Sequence, residues 1–489
     1  MPKIYLDSVT FTDQDDIVPL LGKALLENTS RFRVVNTFAG NDILNADNEI
    51  EEGSDPPGAH PNRAAFINES TLNTAEGNDS ITGIVSQKTG NGKHFGILNQ
   101  RLFSDVDTNT IDTGDGDDVI TGIIQADIFG NGIENLDGSI DTGDGNDKII
   151  GTSQTDIGIN DEKGSINTGN GQDTITGTGG GWGIYLLSGG VLDTGKDNDI
   201  ITGIGGNEDI QADSANIYGL GGRIGIWNNN ATINTNDGDD IITGIAWISN
   251  RGSDGIANAG TINTGNGNDV INAIGGNYSL LNSGAIDVGD GNDSIISYGE
   301  FINSGWFFLG DGNDSIIADA DLSNRALENF SFIGTGDGND IINSTGIIYN
   351  QGVIETGNGD DSIIVDGGVD DNGTQYSIYN NGGAINMGDG NDSIIANDGF
   401  ESGPNSSGAW FLGEGDDYIK GFGSGDFYGG NGNDTLELTP GTYTVGIWDR
   451  VVFAKGNSLM LASEFEQLIA GDQTYDFASL TAGQTIVVA

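Results

Sequence analysis

The chain has 489 residues, of which 83 are glycine and only 35% are hydrophobic, a composition wrong for an ordinary packed core and suited to a repeat. Its 73 acidic and 17 basic residues give a net charge of −56, which repels phosphate backbones and anionic membranes, excludes a nucleic-acid partner and leaves cations as the natural ligands. With no cysteine there is neither a disulfide framework nor thiolate chemistry.

In chain order, the opening MPKIYLDSVTFTDQDD has one lysine and no continuous apolar run, and no run of 18 apolar residues follows anywhere, which predicts a protein with neither a Sec leader nor a transmembrane segment. The amphipathic run DIVPLLGKALLEN is expected to cover one end of the repeat, giving an N-terminal cap over residues 1–34. From Val35 the chain repeats. Aligned on the aspartate that closes each glycine-rich loop, fifteen copies stand at Asp42, Asp79, Asp118, Asp147, Asp173, Asp199, Asp240, Asp269, Asp293, Asp314, Asp340, Asp361, Asp392, Asp417 and Asp434, at intervals of 17 to 41 residues that average 28. A period in this range is the mark of a stacked solenoid, each unit burying its apolar face against its neighbours.

Two residues after each aspartate stands Ile or Leu, as at Leu44, Ile120, Ile316 and Leu436. Three residues before the first loop glycine the side chain is again apolar, as at Ile111, Ile140, Ile166, Ile262, Phe307, Ile385 and Trp410. Short alternating runs flanked by glycine turns read as strands. Seven residues before the loop come Asn258, Asn282, Asn303, Asn329, Asn350 and Asn381, most followed two positions on by Gly260, Gly284, Gly305, Gly352 or Gly383; Asn and Gly tolerate positive φ, so N-x-G predicts a second turn. The arc between aspartate and asparagine varies from 10 to 20 residues, so insertions project from that side. The expected fold is all-β, a right-handed parallel β-helix or β-roll of about fifteen coils over 35–436, with a C-terminal cap over 437–489 formed of strands and a short helix.

The loop crowds carboxylates beside two glycines that let the backbone turn. Calcium takes six to eight oxygens, more than one loop supplies, but two loops stacked one coil apart can provide them. At a strand spacing of about 4.8 Å, two aspartates repel by roughly 3 kcal/mol at an effective dielectric near 20 if no ion lies between them. The candidate calcium ligands in the first part of the chain are Asp79; Gly114, Gly116 and Asp118; Gly143, Gly145 and Asp147; Gly169, Gly171 and Asp173; Gly238 and Asp240; and Gly265, Gly267 and Asp269. The rest are Gly289, Gly291 and Asp293; Gly310, Gly312 and Asp314; Gly336, Gly338 and Asp340; Gly357, Gly359 and Asp361; Gly388, Gly390 and Asp392; Gly413, Gly415 and Asp417; and Gly430, Gly432 and Asp434. One copy departs from the pattern: in TGKDNDIITG, Lys196 takes the acidic position and Asp197 the second glycine, so the ammonium is expected to interrupt the calcium column at Asp199, while Asp197 adopts positive φ.

The nonapeptide GGNGNDTLE, Gly429–Glu437, resembles the G-G-x-G-x-D-x-U-x repeat of the RTX-type (hemolysin-type) calcium-binding proteins. The resemblance covers about 35–436 and implies a parallel β-roll binding several Ca2+ ions between turns. It also implies export by type I secretion, with an uncleaved C-terminal signal and an extracellular or cell-surface location. The tail FEQLIAGDQTYDFASLTAGQTIVVA is similar to the C-terminal segment of cyanobacterial members. Two departures stand out: most copies replace the leading glycine by Thr, Val, Leu or Met, and the loop recurs once per coil, which implies one calcium column instead of two.

Without metal, the aspartates would read as turn-formers and the whole repeat as a solvated acidic tract, a reading the fixed apolar positions oppose. Asn73, Asp112, Asp141, Asn167, Asn234 and Asn263 read as outward-facing strand residues. His60 and His94 are isolated and lack metal-ligand spacing. Arg101, Arg223, Arg251 and Arg325 fall in variable segments, where an arginine beside calcium could remove a proton, but nothing in the sequence gathers them. Trp182, Trp227, Trp247 and Tyr278, read as lying in the insertions, could stack on sugar rings, although packing under a projecting loop is the commoner fate. The leading expectation is a secreted calcium-binding structural or adhesive protein, with extracellular polysaccharide or the cell surface as partner and no catalytic residues. A calcium-dependent carbohydrate-active enzyme, a lyase or epimerase, is the alternative; a toxin or other effector comes third, since the repeats leave no room for a separate effector domain.

Overall fold

The computed structural model describes residues 3–18, 25–28, 34–48, 64–86, 92–100, 109–125, 128–206, 223–246, 252–320, 325–370, 372–403 and 408–489. Among them there is no α-helix, and helical structure is confined to the 3-10 turns Leu6–Ser8 and Phe477–Ser479. The chain forms two compact units, Met1–Asn266 with Ile271–Ser279, and Gly267–Val270 with Leu280–Ala489. Each is built of stacked parallel strands, the expected parallel β-solenoid.

In the first unit a coil has three strands. A short entry strand such as Thr110–Asp112 leads into the acidic loop, an exit strand such as Val119–Ile124 leaves it, and a return strand such as Gly130–Leu136 closes the coil. Each kind pairs in parallel with its own kind: Ile111 stands beside Leu72 and Ile140, Ile120 beside Ile81 and Ile149, and Ile133 beside Ile97 and Ile159. All nine side chains are fully buried. At ~1.5 to 3 kcal/mol for burying each such side chain, these columns are the main stabilising term, and they explain why Ile recurs two residues after the aspartate. The coil is thin, because a Cβ placed on Gly122 would stand 2.2 Å from the carbonyl oxygen of Gly132 on the return strand. Gly83, Gly151, Gly177, Gly203 and Gly244 face return-strand carbonyls in the same way, so glycine here serves close approach of backbones.

The second unit repeats the plan with Ala318, Ser344, Val365 and Ala396 on its exit strands. Near its end the core is aromatic: Trp410 and Phe427, in successive entry strands, stack at 4.4 Å with Phe400 packed against both. Gln467–Ala470 continues the exit ladder beside Thr435–Leu438, and Ser458–Ser463 continues the entry ladder beside Gly425–Asn431. The strands Gly441–Ile447, Val451–Lys455 and Thr485–Val488 then run antiparallel, as covering strands should. At the other terminus Lys3–Tyr5 pairs in parallel with Leu25–Asn28, and Ile17–Val18 with Ile43–Asn48.

The asparagines do something other than turn. None of Asn258, Asn282, Asn303, Asn329 and Asn350 has positive φ, and all are buried. Their amides form a ladder inside the coil: Asn282 Nδ2 donates to Asn303 Oδ1 at 2.9 Å, Asn303 to Asn329 at 3.0 Å and Asn329 to Asn350 at 2.9 Å. The second N–H of Asn303 reaches the carbonyl of Phe332 at 2.8 Å. The expected Asn381 is not a member; Asn350 donates to Asn380, because this coil carries one extra residue, accommodated at Gly382 with φ 78°. In the first unit Asn28, Asn68, Asn99 and Asn135 form the same ladder, which ends by donating to Asp161, whose neighbour in the next coil is Leu186. A carboxylate needs no acceptor, so it closes the ladder.

Replacing Asn303 by Ala leaves the Asn282 donor and the Asn329 acceptor short of a partner. The expected loss in stability is about 1 to 3 kcal/mol in urea unfolding, with an unchanged m-value.

Candidate metal centre

The loop between entry and exit strands requires its glycines. Gly114 and Gly116 have φ of 80° and 153°. A Cβ on Gly116 would stand 1.8 Å from the carbonyl oxygen of Gly77 in the preceding coil, and one on Gly145 would stand 1.7 Å from that of Gly116. The loop carbonyls therefore point along the stack at the next coil's glycine. In the second unit Gly312 lies over the Gly291 carbonyl, Gly338 over Gly312, Gly359 over Gly338 and Gly390 over Gly359. The amide of Gly116 donates to the carbonyl of Asp144 at 2.9 Å, fixing the spacing of successive loops.

All fifteen loop-closing aspartates are buried, at 0 to 1% exposure. Each carboxylate turns under its loop, and its Oδ1 accepts the backbone N–H of the equivalent aspartate one coil earlier. Asp79 donates to Asp118 at 2.6 Å, Asp118 to Asp147 at 2.8 Å and Asp147 to Asp173 at 2.8 Å. In the second unit Asp293 donates to Asp314 at 2.7 Å, Asp314 to Asp340 at 2.8 Å and Asp340 to Asp361 at 2.8 Å. The other oxygen, Oδ2, has no donor at Asp293, Asp314, Asp392, Asp417 and Asp434, whereas at Asp79, Asp118, Asp147, Asp173, Asp199, Asp340 and Asp361 the threonine hydroxyl of the same loop lies close enough to offset part of the burial. Oδ2 faces the position before the first glycine, since a Cβ on Gly429 would stand 2.8 Å from Asp434 Oδ2. Where that position is threonine, the hydroxyl donates along the stack, from Thr74 to the carbonyl of Thr113 at 3.2 Å and from Thr335 to that of Thr356 at 3.0 Å.

The remaining loop acids face solvent. Asp115 and Asp117 are exposed, and the amide N–H of Asn146 donates to Asp117 Oδ1 at 3.0 Å, in an outer row that also runs Asn292, Asn313, Asn339, Asp360 and Asn391. Buried and exposed carboxylates thus differ in chemistry. Burial raises the pKa of Asp118 and Asp147 to about 7, of Asp79 and Asp173 to about 6 and of Asp199 to about 8, and adjacent aspartates of the row push most of them in the same direction. In the second unit Asp293, Asp314 and Asp392 rise to about 7 for the same reasons, and Asp361, Asp417 and Asp434 to about 6. An ionised carboxylate oxygen only accepts, so where the loop offers no donor a proton or a cation is well placed to complete Oδ2. One such oxygen per coil beside stacked carbonyls fits a hard cation that prefers oxygen ligands. The described residues contain no cluster of three or more His, Cys, Asp or Glu side chains, so carbonyl oxygens would have to supply much of any coordination shell.

Two members of the row lack the glycines and were not recognised in the sequence. The Asp16 amide donates to Asp42 Oδ1 at 2.8 Å, and the Asp434 amide donates to Glu466 Oε2 at 2.8 Å. Both precede an apolar residue by two positions, Val18 and Leu468, which is the signal that could have found them. The expectation for Lys196 is corrected. Its ammonium is exposed and lies 4.0 Å from Asp237 Oδ2 in the outer row, while Asp199 stays in the buried row and accepts the Asp173 amide at 2.8 Å. Asp197 does adopt positive φ, at 78°.

Trp182 and Trp227 stand on return strands and not in insertions, packed with Tyr185 at ring distances of 4.7 to 4.9 Å. On the same ladder Glu134 and Asp156 share Lys93, at 3.6 and 3.8 Å, a buried group the sequence did not reveal. Arg325 pairs with Glu328 and lies over the Tyr349 ring. His94 is buried in a return strand, and His60, Arg101, Arg251 and Trp247 fall outside the described residues.

No protein-family model and no curated protein matches the chain. A solved structure described as a hyperactive, Ca2+-dependent, beta-helical antifreeze protein from an Antarctic bacterium is similar over 81% of this chain and 83% of that one, with 20% identity and a TM-score of 0.40.

The raised carboxyl pKa values set the sign of a pH response. A carboxyl that holds its proton more tightly when folded contributes stability in full below about pH 4 and loses it as pH rises through about 6 to 8. In excess chelator the strand signal in circular dichroism is therefore expected to be larger at pH 5 than at pH 8. A flat profile would mean that folding does not raise the carboxyl pKa values and that the row ionises as readily as in the unfolded chain.

Proposed function

We propose that the protein is a secreted, calcium-dependent structural or adhesive β-solenoid of the RTX type, whose coils are completed by cations bound along the buried aspartate row. The observation that carries this reading is the repetition, coil after coil, of a buried carboxylate whose Oδ1 is held by protein, with an Oδ2 that has no donor at Asp293, Asp314, Asp392, Asp417 and Asp434. Loop aspartates from Asp42 to Asp434 with the carbonyls of the glycine turns would hold the metal, and the metal would supply charge neutralisation and cross-linking between coils. Protein residues do the rest: the Oδ1 hydrogen bonds fix the carboxylate, and the glycines bring successive loops together.

A net charge of −56 adds a reason for coupling metal to folding, because the unfolded chain relieves self-repulsion by expanding. Metal-binding free energy then becomes folding free energy. In a cytosol poor in calcium the chain would stay extended and pass through a type I channel, with residues 437–489 as its signal, and it would fold on meeting calcium outside.

Circular dichroism during a calcium titration tests the core of this reading: strand signal should appear cooperatively with calcium and vanish in chelator at pH 8. A compact strand-rich spectrum in chelator would refute it. Asp118→Asn should lower the number of bound calcium ions by at least one and move the folding midpoint to higher calcium, whereas Asp117→Asn, in the exposed row, should leave the stoichiometry unchanged. For export, a passenger carrying residues 438–489 should leave the cell through a type I system; its retention would remove the signal role from this segment.

A further inference from the structure

The second unit carries a further feature on the outer face of its entry strands, beside the loop glycines. Trp306 and Phe308 flank the buried Phe307 and project outward, with exposures of 56% and 38% and their rings stacked at 5.9 Å. In the next coil Phe332 pairs with Trp306 and Gly334 with Phe308, and after that Glu355 pairs with Gly334. Gly334 therefore leaves a notch where its neighbours in the column have a phenylalanine and a glutamate. A groove of about 490 Å³ opens there. Its aromatic wall is Phe308 and Phe332, whose rings lie 5.3 Å apart, and its rim is Glu355 with the loop acids Asp311, Asp337 and Asp389.

None of these four carboxylates pairs with a basic side chain among the described residues. The unit's four basic residues are engaged elsewhere: Arg325 with Glu328, Lys420 with Glu437 at 2.9 Å, Arg450 with Asp426 at 2.7 Å and Lys455 with the carbonyl of Pro440 at 3.0 Å. The groove thus joins exposed aromatic faces to uncompensated negative charge. A hydrated metal ion would gain from the carboxylates but nothing from the rings. A neutral sugar would gain from the rings but nothing from the charge. An organic ammonium ion gains from both, by cation–π attraction at the ring faces and by Coulomb attraction at the rim. The volume is that of a small-molecule site.

We propose that this groove binds a small organic ammonium ion, a polyamine or a quaternary amine, with Phe332 and Phe308 against its methylene or methyl groups and the rim carboxylates around its charge. The groove borders the loop glycines Gly310, Gly336, Gly357 and Gly388, but the buried Asp314, Asp340, Asp361 and Asp392 are not among its lining residues, so it is tested with calcium already bound at the loops.

The experiment is isothermal titration of the full chain in millimolar calcium, using spermidine and tetramethylammonium as probes and cellohexaose as the neutral control at matched ionic strength. Gly334→Leu fills the notch without changing charge; a Cβ there would stand 2.7 Å from the Phe332 ring and 3.7 Å from Phe308, so it displaces the Phe332 side chain and no backbone atom is among its nearest neighbours. Phe332→Leu keeps bulk and removes the ring. Each is expected to weaken binding of both probes by at least about tenfold, with unchanged circular dichroism and melting temperature. Glu355→Gln should weaken spermidine more than cellohexaose. Binding of the probes to Gly334→Leu within twofold of the wild type would overturn the proposal by showing diffuse attraction to the acidic surface. Cellohexaose binding that is lost in the same two variants would overturn it in favour of a neutral glycan. No probe binding to the wild type would overturn it outright.

Discussion

The constraint on which the rest of the structure depends is the position of a single carboxylate. One oxygen of each loop aspartate holds the backbone of the coil before it, which forces the side chain under the loop and out of water. The group that fixes the spacing is therefore the group least able to remain charged in a protein-only environment. Desolvation of this kind costs several kcal/mol per uncompensated ion, far more than a single hydrogen bond returns. Repeated in every coil, the imbalance makes stability depend on whatever neutralises the row. The glycines, the threonine hydroxyls and the isoleucine columns keep the geometry that makes this dependence unavoidable.

The neighbouring residues divide accordingly. Asp117 and Asp118 are adjacent in sequence and chemically unlike: one is exposed, with a pKa held below the ordinary range by hydrogen bonds from Asn146, and the other is buried and raised. Sequence proximity alone would have given both the same role. The outward surface also divides by residue type. In the first unit the entry strands present Thr110, Asp112, Ser165 and Asn167, whereas in the second they present Trp306, Phe308 and Phe332. A common scaffold thus carries unlike surfaces, which is where difference in binding can arise without any change in the corner.

The sequence made the fold and the buried row legible because both rest on rigid spacing. Among the fifteen loop-closing aspartates an apolar residue two positions on recurs without exception, and a glycine two positions before in all but the Asp199 copy, and the strands follow from them. Side-chain direction was harder to read. The N-x-G asparagines fit a turn by composition, yet their amides point inward and satisfy one another, a role visible only when successive coils are superposed. Lys196 was misjudged for a related reason: its position in the loop alternates outward, so its charge meets Asp237 and not Asp199. Trp182 and Trp227 read as insertion residues because the return strands lack a strict inward–outward alternation, with burial running through three successive residues. Asp16 and Glu466 escaped notice because they keep the carboxylate and lose the glycines.

The two rows of the corner run in opposite senses. In the buried row an earlier coil donates to a later carboxylate, as Asp79 does to Asp118; in the outer row the later coil donates to the earlier, as Asn146 does to Asp117. Every internal coil thus gives one bond and takes one bond on each side, whatever the length of its arc. At the level of the gene this makes copy number a free variable within a unit. A duplication running from one loop aspartate to the next carries a complete set of corner donors and acceptors, so the join needs no compensating mutation at the corner, and a coil whose asparagine continues the inner ladder meets that requirement too. Only the terminal coils, where Asp16 and Glu466 stand, are irreplaceable.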